Sequence, residues 1–437
     1  MKRIITHVFT LFLFCLVSSS VFAQDDPYAR FVNNGLKLSR MQQYSAAIKE
    51  FDLATSISDT SARIYYYKGL CYFSMRDAKK AIKPFEEAVE RNPKYLDALS
   101  KLLICYKKEE DLTNTINTYD RLAVAVKDKK KKLSAKKSVV YILLSEDSFD
   151  SAHLYIDQGI AIIPKDVELL MLKGRMLNLE EKYKVAEDTL KSAISKFQGR
   201  DIKLQTQLNY ELGIALHNQA KYRESSAAFR NANYGPYKVK VATFSPPYYR
   251  MVAFAHYSIY DYERALGLID IALQMDSTFD EAIKLRDQIN KSTTDRTKDV
   301  EAYNNVLNSK DLDEIRRYGI YKTSISALIG SKKYREAIEM ADSAIARFPE
   351  KSESYFMKSI ALYENNFKED AISLMSKLLK EENHTKEEIE KYQFSLAMMY
   401  VSKEEIKEAE ILYDKIIAKG GNYARPAMFE KQRITAD

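Results

Sequence analysis

The feature that most constrains this chain is a recurrence: a set of small and aromatic residues returns about every 34 positions over nearly its whole length. The clearest copy runs from Ala62 to Pro93, with Tyr65, Gly69, Tyr72, Ala81, Phe85, Ala88 and Pro93 at positions 4, 8, 11, 20, 24, 27 and 32 of the unit. Within each half of the unit the spacing follows one face of a helix, not the alternation of a strand. Two helices fit into one period, and only 12 Gly and 9 Pro in 437 residues leave few places to break them. One such hairpin cannot bury both of its apolar sides, so successive copies must stack.

The same frame fits Gly35, Tyr44, Ala47, Phe51 and Ala54 before that copy, and Gly174, Tyr183, Ala186, Leu190 and Ala193 after it. Gly213, Tyr222, Phe229 and Ala232 make another. Weaker copies fall at Leu99, Tyr106 and Tyr119, at Ala152, Ile156, Gly159 and Pro164, and at Tyr249, Tyr262, Ala265 and Ala272. Toward the C-terminus come Tyr321, Tyr334, Ala337 and Ala344, then Tyr355, Leu362 and Ala371, then Tyr400, Ala409 and Tyr413.

This pattern resembles the tetratricopeptide repeat (TPR) family, with Tyr65 where the family often has Trp, over about residues 28–420. The resemblance implies an all-α fold: an α-solenoid, a right-handed superhelix of about nine or ten stacked TPR-like helical hairpins whose first helices line a concave groove. The small residues at positions 8 and 20 are expected to meet, and the large ones at 4, 11 and 24 to fill the space toward the next hairpin. Gly35, Gly69, Gly174 and Gly213 occupy position 8, where a mid-helix glycine costs about 1 kcal/mol against alanine, so packing must offset that cost.

Residues 1–23 read as a signal peptide: Lys2 and Arg3, an apolar run from Val8 to Val17 broken by Thr10, and a small-residue site at Val21-Phe22-Ala23. The run falls short of the roughly 20 residues that span a bilayer, so cleavage before Gln24 is expected. Cys15 lacks the small residues that precede a lipid-modified cysteine. The expected location is therefore exported, periplasmic or outer-membrane-associated. An N-terminal array is placed at 24–290, a polar loop or hinge at 291–299, a C-terminal array at 300–420 and a loosely ordered tail at 421–437. The hinge falls where successive position-20 residues, Ala265 and Ala337, are 72 apart. Pro84 predicts a kink, and the turn formers in 233–247 an elongated loop between repeats.

Chemistry is sparse. His153, His217, His256 and His384 lie in separate units without metal-ligand spacing, and no glycine-rich phosphate loop occurs, so neither metal, cofactor nor catalytic residues are assigned. Cys71 and Cys105 share position 10 of consecutive units, further apart than a disulfide allows, and read as buried free thiols. The formal charge of +7 includes Lys2 and Arg3 and is too diffuse to imply nucleic acid. The one dense charge cluster, Lys127–Lys137, would suit an anionic envelope component, or serve as a solvated loop and helix start.

About half of the 31 tyrosines fall at scaffold positions. Positions 2, 5, 9, 12 and 13, which the family exposes to its groove, hold Tyr66, Phe73, Arg175, Tyr210, His217, Arg250, Tyr257, Phe356 and Tyr363. The resemblance implies a non-catalytic scaffold holding another protein or an extended peptide, within an envelope secretion or assembly complex. A glycan receptor like the helical starch-binding proteins, or a regulatory subunit of an envelope enzyme, stays open as an alternative. The absence of Trp, the strongest sugar-stacking side chain, weighs against the receptor.

Overall fold

A computed structural model describes residues 26–309, 311–381 and 384–436, so the expected leader at 1–23 lies outside the described residues. These form helices and turns without a strand. The chain separates into two compact units, one up to Gly199 and one from Arg200.

The N-terminal unit is five helical hairpins: α1 (Pro27–Arg40) with α2 (Tyr44–Ile57), α3 (Ala62–Ser74) with α4 (Ala78–Arg91), α5 (Leu96–Lys108) with α6 (Leu112–Ala125), α7 (Lys129–Ser145) with α8 (Phe149–Ile162), and α9 (Val167–Leu179) with α10 (Tyr183–Lys196). Helix starts are fixed by aspartates whose carboxylates accept the backbone N–H three residues on: Asp77 from Lys80 at 3.0 Å, Asp111 from Asn114 at 3.0 Å, Asp166 from Leu169 at 2.8 Å. Helix α4 runs on through Pro84, which is buried.

The close-contact glycines work differently from the expected small-on-small meeting. A Cβ built on Gly35 would stand 2.5 Å from the Phe51 ring, and one on Gly69 2.6 Å from the Phe85 ring. The glycine makes room for the large residue at position 24, which is fully buried in both hairpins. Cys71 and Cys105 are free and buried. Burial pushes both thiols up, Cys105 to about 11, which keeps them protonated and unreactive.

The C-terminal unit opens with α11 (Ile202–His217) and α12 (Tyr222–Asn231), then the short α13 (Tyr237–Ala242), which fills the expected elongated segment between repeats. A hairpin of α14 (Pro246–Ser258) and α15 (Tyr262–Met275) is followed by α16 (Asp280–Thr293) and α17 (Thr297–Leu307). Three further hairpins are α18 (Glu314–Gly330) with α19 (Tyr334–Arg347), α20 (Ser352–Glu364) with α21 (Lys368–Leu378), and α22 (Lys386–Ser402) with α23 (Ile406–Lys419); α24 (Ala424–Ala436) ends the chain.

Two expectations are corrected here. The stretch 291–299 is mostly helix, with three residues between α16 and α17, and the chain divides near residue 200 instead. That short link is braced: Asp295 accepts the Thr297 N–H at 3.0 Å, and Ser331 accepts the Arg296 N–H at 3.1 Å. The tail beyond 421 is not loose, because α24 packs on α14 and α23 and buries Ala427 and Glu430 completely.

Each of the ten hairpins turns through one residue in the left-handed region: Gln42, Arg76, Glu110, Asp147, Glu181, Ala220, Tyr260, Lys332, Asn366 and Glu404. None is glycine, and only Tyr260, at φ +66°, is aromatic. A ring on a left-handed residue is uncommon and needs surroundings that hold it there.

Candidate functional site: the first-helix faces

In the N-terminal unit the first helices α3 and α5 bring Tyr66, Tyr67, Phe73 and Tyr95 together as a half-buried aromatic patch. The Tyr66 ring centroid lies 5.0 Å from Tyr95, 6.0 Å from Tyr67 and 5.9 Å from the buried Phe85; Phe73 leans on Phe85 from the other side at 6.5 Å. Two cations border the rings. Arg63 donates through Nε to the Tyr67 hydroxyl at 2.6 Å, and the Lys101 ammonium stands 4.8 Å from the Phe73 centroid. Burial raises the Tyr66 phenol above its usual value, with Asp97 and Tyr67 adding to it, so Tyr66 stays a neutral hydrogen-bonding group. Arg175 is half-buried on α9 of the same unit.

The lysine cluster separates into two parts. Lys136 pairs with Asp120 at 2.8 Å, and Lys137 with Asp166 at 3.3 Å and with Glu168. Lys127, Lys129, Lys130 and Lys131 remain exposed around the start of α7.

In the C-terminal unit the corresponding positions are half-buried, like Tyr66 and Phe73, except Phe356, which is fully buried. Tyr210 on α11 lies under Tyr237 of α13, at 4.9 Å between centroids, with the Lys240 ammonium 5.7 Å from its ring. His217 is enclosed by Tyr222 and Phe244, and its Nε2 lies in hydrogen-bond contact with the Tyr249 hydroxyl at 2.8 Å. Burial alone lowers the His217 pKa to about 4, so the ring is neutral at ordinary pH. The Arg250 guanidinium sits over Phe254 at 5.5 Å, and Tyr257 packs against Tyr262 at 5.9 Å. Phe356 is fully buried between Tyr392, at 5.0 Å, and Tyr260, at 6.3 Å. Tyr363 donates to the Met399 carbonyl at 3.0 Å.

Of the nine positions singled out in the sequence, Tyr66 and Phe73 thus share one half-buried patch, Phe356 is fully buried, and the others are half-buried. Sequence reasoning missed Tyr67, Tyr95, Arg63 and Lys101 around that patch; the cue available was the density of aromatics and cations in 63–73 and 95–101. It also missed Glu430, whose partners are 166 and 174 residues away.

Among the described residues no group of three or more His, Cys, Asp or Glu is placed to hold a metal ion. No described helix is long and apolar enough to cross a membrane.

Two family models, each described as tetratricopeptide repeat, match residues 62–95 and 325–388. A curated relative, serine/threonine-protein phosphatase T of Trypanosoma brucei brucei, is 32% identical over 92 residues, 21% of this chain and 20% of that protein. The match thus spans about a fifth of that relative's length. Among solved structures, the C-terminal part of a TPR repeat-containing protein from Cytophaga hutchinsonii is 16% identical, covering 58% of this chain and 98% of that one, with a TM-score of 0.34. YrrB, described as a TPR protein with an unusual peptide-binding site, is 13% identical over 54% of this chain and 97% of its own, with a TM-score of 0.29. Yeast Tom70 is 15% identical, covering 95% and 98%, with a TM-score of 0.25. Superpositions this loose carry no inference about a ligand.

Proposed function

We propose that this chain, which carries tetratricopeptide repeats at 62–95 and 325–388, is an exported, non-catalytic scaffold that holds an extended segment of another protein on the first-helix face of its N-terminal unit. The observation that carries this reading is the patch of Tyr66, Tyr67, Phe73 and Tyr95 with Arg63 and Lys101 at its border. Aromatic rings with few torsions supply contact area at low entropic cost, and the bordering cations favour a segment carrying carboxylates. The exposed lysines around the start of α7 are the part of the charge cluster left to meet an anionic envelope component.

Export rests on the leader-like residues 1–23. N-terminal sequencing of protein recovered from the cell envelope is expected to begin at Gln24; a chain beginning at Met1 would count against export. The binding reading is tested by cross-linking capture from intact envelopes, with the tagged full chain beside a variant carrying Tyr66→Ala and Phe73→Ala. A protein captured by the parent and lost by the variant is expected. Equal capture by both would remove the patch from consideration, and recovery of glycan without protein would favour a receptor.

A further inference from the structure

Helix α14 contributes to two separate cores. Tyr248, Tyr249, Val252 and Ala253 pack with α15 and α16, as the first helix of an ordinary repeat does. Ala255 and Ile259 pack instead with Ile325, Phe356, Phe394 and Ala427 from the hairpins that follow and from α24. The α14–α15 turn enters the first-helix face of those later hairpins. The Tyr260 ring lies 6.3 Å from Phe356 of α20, and the His256 ring 5.4 Å from Phe394 of α22. Ile259, Tyr260 and Asp261 form one wall of a cavity of about 200 Å³, with Ile360, Tyr363 and Met398 among the residues opposite. Counted from Ser352 and Glu390 as position 1, Phe356, Ile360, Tyr363, Phe394 and Met398 stand at positions 5, 9, 12, 5 and 9, the positions at which a groove meets its ligand.

Two further observations mark the turn as held from outside. Tyr260 is the aromatic exception among ten left-handed turn residues, and its ring is what reaches Phe356. Glu430 of α24, fully buried, clasps the same hairpin: it accepts from Arg264 Nε at 3.0 Å and Nη2 at 2.9 Å, and from Arg433 Nε at 3.0 Å. His256 Nε2 meets it at 3.0 Å, while His256 Nδ1 is 2.9 Å from Asp261.

We propose that the α14–α15 hairpin is a resident ligand of the C-terminal groove: the last three hairpins hold it as they would hold a partner's segment, and α24 clasps it in place. The groove takes an outside helical segment of the same chemistry, an Ala/Ile face ending in Tyr-Asp, when the hairpin is displaced. Occupancy by the chain lowers apparent affinity for such a segment in proportion to the fraction of molecules in which the groove is free. This goes beyond the partner face of the N-terminal unit and does not depend on it.

A fluorescent peptide copying residues 250–264 tests it on the full chain. Tyr260→Gly removes the ring while suiting the left-handed turn, so the hairpin keeps its shape and loses its hold on Phe356. The peptide is expected to bind this variant at least about tenfold more tightly than the parent, as a vacated groove requires. An unlabelled peptide with Gly in place of the tyrosine should not compete. Glu430→Gln, which loosens the clasp alone, should raise both peptide affinity and hydrogen exchange in 424–436. Parent-level affinity in both variants with residues 319–402 still protected would overturn the proposal. Loss of protection throughout 319–436 in Tyr260→Gly would also overturn it, because the hairpin would then be core and not ligand. Partner capture by Tyr66 and Phe73 is expected to be unchanged in either variant.

Discussion

At the scale of single residues, the position-8 glycines and the left-handed turn residues are the two places where the backbone sets the terms. Gly69→Leu would drive a branched side chain into the Phe85 ring, which already lies 2.6 Å from where a Cβ would stand, so a loss of about 1–3 kcal/mol is expected in denaturant unfolding. An unchanged midpoint would sink the assigned register. The glycine was legible because four copies share its position; its true neighbour was not, because the pattern could not say whether position 20 or 24 approaches it. The turn residue left no trace in the sequence. Ten hairpins fill it with eight different residue types, each bearing a cost of about 1–2 kcal/mol that the packed helices on either side can absorb.

At the scale of elements, α24 shows how a long-range tie converts an unpromising segment into structure. Its residues 424–436 carry little helical periodicity and follow two glycines, so a loose tail was the natural reading. Its order comes from Ala427, Phe429 and Ile434 packed against the neighbouring cores and from the buried Glu430, and the sign of its pH dependence follows from the groups around that carboxylate. Burial would raise the Glu430 pKa, but His256, Arg264 and Arg433 hold it down to about 2; the nearby Tyr413 and Tyr248 phenols are neutral in that range. Its contribution is present above its ordinary value of about 4.5 and fades as pH falls toward 2. Burial lowers the His256 pKa, yet hydrogen bonds to Asp261 and Glu430 outweigh it and the value is raised above 6.5. That contribution is complete below about 6.5 and is lost as pH rises through the folded value. Hydrogen-exchange protection of α24 is therefore expected to peak between about pH 4.5 and 6.5, and His256→Gln to flatten the alkaline side. Protection that rises steadily from pH 6 to 9 would contradict the clasp.

At the scale of the whole molecule, the two units have separate cores, with hairpins of the N-terminal unit packing on those before and after. Residues 26–199 expressed alone are expected to fold, with a melting transition that matches one of two in the full chain; a disordered circular dichroism spectrum would refute this. Periodicity made the helical solenoid legible, since every repeat restates it, whereas the division near residue 200 falls between two well-formed copies and shows only as a spacing of 39 residues between Gly174 and Gly213, against 34 between Gly35 and Gly69. The hairpin tip at Tyr260 has one more consequence, for how such a chain can change its length. It must reach α20 and α22, so gaining or losing a 34-residue copy between α15 and α20 would carry the tip past its seat. Copies can be added or dropped in the first 199 residues at far less cost, and length differences among descendants of this gene should gather there.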